Sequence, residues 1–453
     1  MYGRVAHARP FVALIAAAGI ATLVGCGSSG NPTSTSSGGS AGAGNGAVKT
    51  SDCGTNPGHK ATGTPIALGT IVTDQPGVNF TDIPYMTQAY FNCVNDNGGI
   101  KGHPIKYTIL TEQTNPAQIA ADATQLVQTD KVLGIVGNTS IIECSVNSSY
   151  WQQHGFYIID SGIAPECYST SNSAAVNMGP RYSSDGAVQY ALSQGVSKIV
   201  FDQANVPGTD HIAAGPAALA GNKNVPIVQL TENVPVTSAD SVAIKEVNDA
   251  GPNGAVILNF TPPDALTILQ AAQKLGIVDH VKMWGCSTPC NTDFLAQSLG
   301  AQWNSKLFVN AELTPPDSTN SKTMQLYNAI LKDYGSSGPH KVVGGVGSFS
   351  QMGFTEAEIA VHALEGIKGA YTVASVNAAF KAVTNFDTGM LCQKWTYGGY
   401  SSHLPNNMDY TVTPNNGKMA VAQGCTQISS VDPDIAAYRQ QAGVAPLDPT
   451  ANG

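Results

Sequence analysis

Basic side chains are scarce in this chain: Lys and Arg number 22 against 31 Asp and Glu, for a formal charge of -9. A net-negative surface repels polyanions, which argues against nucleic acid as a partner. Long hydrophobic runs are scarce as well. Beyond the N-terminal stretch, no apolar segment reaches the roughly twenty residues that a membrane-spanning helix requires. The signatures of common enzyme classes are missing too: no phosphate-binding loop, no dinucleotide fingerprint, and no His-Glu-x-x-His among the scattered histidines. Gly285-Cys286-Ser287-Thr288-Pro289 and Gly345-Val346-Gly347-Ser348-Phe349 come near a nucleophile elbow, yet neither is Gly-x-Ser-x-Gly. The chain therefore reads as a non-enzyme without metal or cofactor, with an exported hydrolase as the weaker alternative.

What is present begins at the N-terminus. Arg4 and Arg9 precede an apolar run over residues 11–24, too short to span a bilayer and flanked as a secretory signal is. Leu23-Val24-Gly25-Cys26 has the form of a lipobox. Similarity to bacterial lipoproteins implies a signal peptide at 1–25, cleavage before Cys26, and acylation of that thiol. Two or more acyl chains anchor stably, since each buried methylene contributes about 0.8 kcal/mol. Residues 26–52 then form the lipidated cysteine and a tether of mostly Gly, Ser, Thr, Ala and Asn, which cannot bury a core. Some 400 residues remain, too many for one core and enough for two lobes.

Residues 65–136 carry a strand, helix, strand, helix, strand pattern. An apolar run at 66–72 ends in Asp74, Gln75, Pro76 and Gly77, which are turn formers. Met86, Tyr90, Cys93 and Val94 then share one helical stripe that starts near Thr81 and Asp82 and stops at Gly98-Gly99. After a strand at 105–110, Asn115-Pro116 supplies a capping oxygen and a proline at the first helical position. Ile119, Ala123, Leu126 and Val127 form the second stripe, and 132–136 the third strand. Strands alternating with helices give a parallel sheet, with ligands beyond its strand C-terminal ends.

The helix closed by Asn97-Gly98-Gly99-Ile100-Lys101-Gly102, the Pro116-initiated helix and the strand ending Gly134-Ile135-Val136-Gly137 resemble the leucine/isoleucine/valine-binding type of ABC-transporter substrate-binding protein, over about residues 65–395. That resemblance implies the type I periplasmic binding protein fold: α/β, two Rossmann-like lobes with parallel central sheets joined by a three-strand hinge. Lobe 1 is expected at 53–178 and 310–392, lobe 2 at 179–309, with 393–453 returning through the hinge to complete lobe 2 and form the tail. Crossings are expected at 176–182, 307–311 and 390–396, and second-lobe strands at 198–202, 225–230, 255–260 and 281–284. The implied partners are a small-molecule ligand, an ABC permease and the bilayer, with the receptor a monomer outside the cytoplasm. A ligand sensor signalling through a membrane receptor remains an equal use of the same fold.

Leaving out Cys26, eight cysteines remain, an even number in an exported chain. Proximity pairs Cys53 with Cys93, Cys144 with Cys167, Cys286 with Cys290, and Cys392 with Cys425. Cys286-x-x-x-Cys290 also reads as half of a metal site with His280 nearby, though no second cluster accompanies it.

The candidate ligand residues follow strand ends: Asp74 and Gln75, then Asn138, Thr139 and Ser140, then Ser161 and Gly162 in lobe 1; Asn205, Asn259, Phe260, Thr261 and Ser287 in lobe 2. Hydroxyls and N–H groups at a helix start suit a carboxylate, and the same residues also serve as ordinary helix caps. Several positions depart from the family pattern. Val206-Pro207-Gly208 and Thr261 stand where branched-chain amino-acid receptors carry tyrosines, and Gly285-Cys286-Ser287 stands where they place Gly-Pro-Glu against the ligand ammonium. A serine cannot neutralise a buried ammonium, which argues against an ordinary α-amino acid. Asp74 and Asp210 are the compensating acids available, each more typical of a solvated loop. The expected solute is a small carboxylate, amide or neutral polar compound packed against Tyr85, Phe260 or Trp284, any of which also reads as core.

Overall fold

Two sheets, each covered by helices on both faces, organise the chain. The computed structural model describes residues 48–449 apart from 319, 320, 399 and 402; the expected signal segment and Cys26 lie outside the described residues. The first lobe begins with β1 (Ile66–Gln75), a short return strand β2 (Val78–Asn79), α1 (Asp82–Asp96), β3 (Ile105–Glu112), α2 (Pro116–Thr124), β4 (Gly134–Asn138), α3 (Glu143–Gln153), β5 (Ile158–Asp160) and β6 (Ser173–Ala175). β3 and β4 flank β1 in parallel, and β5 and β6 continue the parallel sheet, while β2 folds back antiparallel on the end of β1.

Local chemistry accounts for these boundaries. The α1 stripe of Met86, Tyr90, Cys93 and Val94 is buried. Gly98 and Gly99 follow at φ 105° and 59°. A Cβ on Gly99 would lie 2.4 Å from the His103 carbonyl oxygen, so a side chain is excluded there on steric grounds as well. At α2, the Asn115 side chain accepts the N–H groups of Ala117 and Gln118 at 3.0 and 3.3 Å, with Pro116 first in the helix. Such a cap contributes about 1 kcal/mol.

The second lobe runs through α4 (Gly179–Ser193), β7 (Ile199–Ala204), α5 (Ala214–Asn222), β8 (Ile227–Glu232), α6 (Ala239–Ala250), β9 (Ala255–Asn259), α7 (Pro262–Lys274), β10 (Met283–Cys286), α8 (Asp293–Ser298) and β11 (Leu307–Ala311). The chain then supplies first-lobe helices α9 (Lys322–Ile330), α10 (Ser348–Gly366) and α11 (Val373–Lys381) before β12 (Met408–Asn415), β13 (Lys418–Gln427) and α12 (Pro433–Gln441). The second sheet has the order β13-β12-β11-β10-β9-β7-β8, parallel from β8 to β11 and antiparallel at β12 and β13.

Two of the expected crossings are displaced. Residues 307–311 form β11, a full member of the second sheet, so the return begins at Glu312. Trp395 is still buried in the first-lobe core and pairs with Phe386, so the third passage lies between Tyr397 and β12 rather than at 390–396. The first passage is short, residues 176–178. Asn406 ties all three together by donating to the carbonyls of Val176 and Glu312 at 3.0 and 2.9 Å. All four expected disulfides are present, so the Cys286 and Cys290 thiolates are not available to a metal. Among the described residues, no helix is long and apolar enough to cross a membrane.

Candidate functional site

The strand C-terminal ends of both sheets converge on a cavity of about 90 Å³ beside the crossings. Lobe 1 contributes Val78, Phe80, Ile141 and Ile163, with Phe349 and Met352 from α10; lobe 2 contributes Val206, Ile212, Phe260 and Pro289. The wall is thus mainly apolar. Its polar members are Thr139, Asn177, Ser183, Thr209, Asn259, Thr261, Thr288 and Glu312.

The lobes meet at the rim. Val78, Ile141 and Ile163 form one apolar cluster with Val206 and Val234 across the divide. Beside them the Thr261 hydroxyl donates to the Gly77 carbonyl at 3.1 Å. A Cβ on Gly77 would come within 2.8 Å of the Val234 side chain, so only glycine permits this approach. An outer groove shares Val78, Thr261 and Phe349 with the cavity and carries the carboxylates of Asp82 and Asp264.

Of the residues expected from sequence, Thr139, Asn259, Phe260 and Thr261 reach the cavity wall. The others do not, each for a local reason. The Asn138 side chain accepts the Ile71 N–H at 2.8 Å and so stitches β4 to β1. Ser140 is buried behind the wall, its hydroxyl without a partner. Ser161 donates to Glu356 on α10, and the Gly162 carbonyl is occupied by Tyr168 and Asn177. This removes the second half of the expected carboxylate clamp. Ser287 donates to Asn259 at 2.7 Å and orients that amide from behind. Asp74 accepts from Asn79, Gln75 from Thr114, and the exposed Asn205 pairs with Asn233, all away from the cavity. Of the three aromatics, Phe260 is on the wall, Trp284 is core, and Tyr85 stacks on His340.

Glu312 is the residue that sequence reasoning missed. It is the one titratable side chain on the inner wall, among the described residues, and is 1% exposed. Its carboxylate accepts the Met178 N–H of the first crossing. Burial pushes its pKa up to about 8, with the bond from the Met178 N–H opposing the rise and Asp409 adding to it. An acid immediately after an apolar strand, in Asn310-Ala311-Glu312-Leu313, was the available signal.

A hinged pair of parallel-sheet lobes with a mainly apolar cavity between them at their strand ends defines a two-lobed binding protein, closed in this structure. The chain belongs to the periplasmic binding protein family, which it matches over residues 65–418. Among solved structures, it is similar to a branched-chain amino acid ABC transporter protein from Thermus thermophilus with bound valine, at 14% identity and a TM-score of 0.70, covering 83% of this chain and 100% of that one. A fatty acid ABC transporter substrate-binding protein from Thermomonospora curvata matches at 16% identity and TM-score 0.69, over 86% and 98%. A solute-binding protein from R. palustris in complex with benzoate matches at 14% and 0.63, over 81% and 98%. Identities this low establish a common fold and no more. No curated protein matches the sequence.

Proposed function

We propose that this chain is the extracytoplasmic solute receptor of an ABC importer, anchored through acylated Cys26, and that lobe closure about the hinge traps a small, mainly apolar solute. The observation that carries this reading is the inner cavity, whose apolar wall is built from both lobes and from the crossings between them. Closure of two rigid lobes over a ligand is the motion such a hinge permits. Thr139, Asn259, Phe260, Thr261 and Glu312 are assigned to contact the solute. The bound valine and benzoate of two structural neighbours are each a compact apolar body with a polar end, the character that this mainly apolar wall with a few polar members matches.

A thermal-shift panel of amines, amides, carboxylates, amino acids and sugars tests the receptor role, because a ligand that binds only the native state raises its midpoint. A concentration-dependent rise supports it. Silence across the panel counts against solute capture and moves weight to a signalling lipoprotein. Anchoring has its own test: Cys26→Ala is expected to move the protein from the membrane to the soluble fraction, and continued sedimentation with membranes would refute acylation at that thiol.

A further inference from the structure

We propose that the cleft is built for a primary amine carried on an apolar body, with Glu312 as the counter-ion of its ammonium group. The inference rests on the solute-receptor reading and adds the chemical class of the solute.

Counting hydrogen-bond capacity on the wall leads there. Each of the five wall hydroxyls already spends its single O–H on the protein. Thr139 donates to the Gly137 carbonyl at 3.2 Å and Ser183 to that of Pro180 at 3.4 Å. Thr209 donates to the Val206 carbonyl at 2.7 Å and Thr261 to that of Gly77 at 3.1 Å. Thr288 donates to Asn310 Oδ1 at 2.8 Å. A hydroxyl so committed keeps only its lone pairs, which accept. Asn177 spends one Nδ2 proton on the Gly162 carbonyl. The Asn259 oxygen is taken by Ser287, so the donors left on the wall side chains are amide N–H groups of Asn177 and Asn259.

The charges point the same way. Glu312 on the inner wall and Asp82 and Asp264 in the outer groove are acids, and neither lining contains Lys, Arg or His among the described residues. An ionised carboxylate would meet mostly acceptors, with two amide groups and the proton of Glu312 as the donors open to it. Turning a hydroxyl toward it would strip a backbone carbonyl of its partner, an uncompensated loss in a buried site. An ammonium brings three donors and the missing positive charge. The crossings hold its counter-ion in place: the Glu312 carboxylate is bonded to Met178 on one side, and its own carbonyl to Asn406 on the other. Recognition of the amine at Glu312 therefore acts on the segments that must stay aligned for the lobes to remain shut.

A pH signature follows. The groups facing Glu312 are Asp409 on β12, Tyr168 from the loop before β6 and the Thr288 hydroxyl. Burial holds the pKa of both Asp409 and Tyr168 well above their ordinary values. In the empty cleft Glu312 titrates at about 8, so amine capture at lower pH must release its proton. Affinity is then expected to rise about tenfold per pH unit between 6 and 7.5 and to level off above 8.

Isothermal titration of the purified protein with 2-phenylethylamine, 3-phenylpropanamide and 3-phenylpropionate compares three head groups on one apolar body. The amine is expected to bind at least tenfold more tightly than the other two at pH 8.5, with the pH slope above. Glu312→Gln, which keeps the shape, is expected to lose at least tenfold in amine affinity and all of the slope while its melting midpoint holds. Tighter binding of the carboxylate or the amide, or an amine affinity independent of pH, overturns the inference and leaves the receptor reading standing. Silence with all three probes overturns both.

Discussion

The Thr261 hydroxyl of the second lobe donates to the Gly77 carbonyl of the first across 3.1 Å, and it does so at the rim where the apolar faces of the two lobes meet. This bond exists only while the cleft is shut. A hydrogen bond of this kind contributes about 0.5 to 1.5 kcal/mol net. Thr261→Val keeps the shape and removes the donor, so the closed state is expected to lose about two- to tenfold in population relative to the open one. Small-angle scattering measures this as a larger radius of gyration than the wild type, and identical curves would show that the latch contributes nothing to closure.

Stability is expected to fall as pH rises. Burial raises the pKa of Asp160, Glu312 and Glu358 to about 8 and that of Asp202 to about 6, and holds Asp185, Glu246, Glu356 and Asp409 well above the usual carboxylate range. The folded chain thus binds protons that the unfolded chain has released. For an acid whose folded pKa is raised, the contribution is complete below the unfolded value near 4 and is lost as pH climbs through the folded value, at up to about 1.4 kcal/mol per unit for each group. Melting temperature should therefore drop by several degrees between pH 5 and pH 8.5. A calorimetric profile that is flat or rising over that window would contradict the burial of these acids.

Glu246 is the acid whose replacement should help. It lies fully buried beside Asp202, whose carboxyl also faces the Gln203 backbone N–H. Burial raises the pKa of Asp202 to about 6 and, with the Asp202 charge beside it, holds that of Glu246 well above the usual carboxylate range, so ionising both is costly. Glu246→Gln supplies a permanent N–H donor and is expected to stabilise the fold at pH 8 by about 1 to 2 kcal/mol, with little change at pH 5. Denaturant titrations at the two pH values would show the difference, and equal effects at both would refute the paired-acid account.

The disulfides make a simpler prediction. Cys53 and Cys93 are bonded across 40 residues and fasten the segment before β1 to α1. Closing a loop of this size contributes about 2 to 4 kcal/mol, so Cys53→Ser with Cys93→Ser should lower unfolding free energy by that amount. Peptide mapping after alkylation without reductant is expected to find Cys53, Cys93, Cys144, Cys167, Cys286, Cys290, Cys392 and Cys425 unmodified. Alkylation of any of them in the native protein would break the corresponding pair.

What the sequence by itself determined was whatever a few neighbouring residues decide. Asn115-Pro116 starts a helix and Gly98-Gly99 ends one because caps act within a single turn. The cysteines joined near neighbours, no more than 40 residues apart. Thr139 and Asn259 to Thr261 were legible because parallel strands deliver their C-terminal ends to one edge. The tertiary structure decided the rest, since cavity walls and spent hydrogen bonds depend on residues far apart in sequence. Ser161 has the chemistry of a ligand contact, yet its hydroxyl belongs to Glu356, 195 positions away. Glu312 looked like a residue after a strand; the packing of β11 beside β10 and the stitch through Asn406 set it on the wall of the cleft.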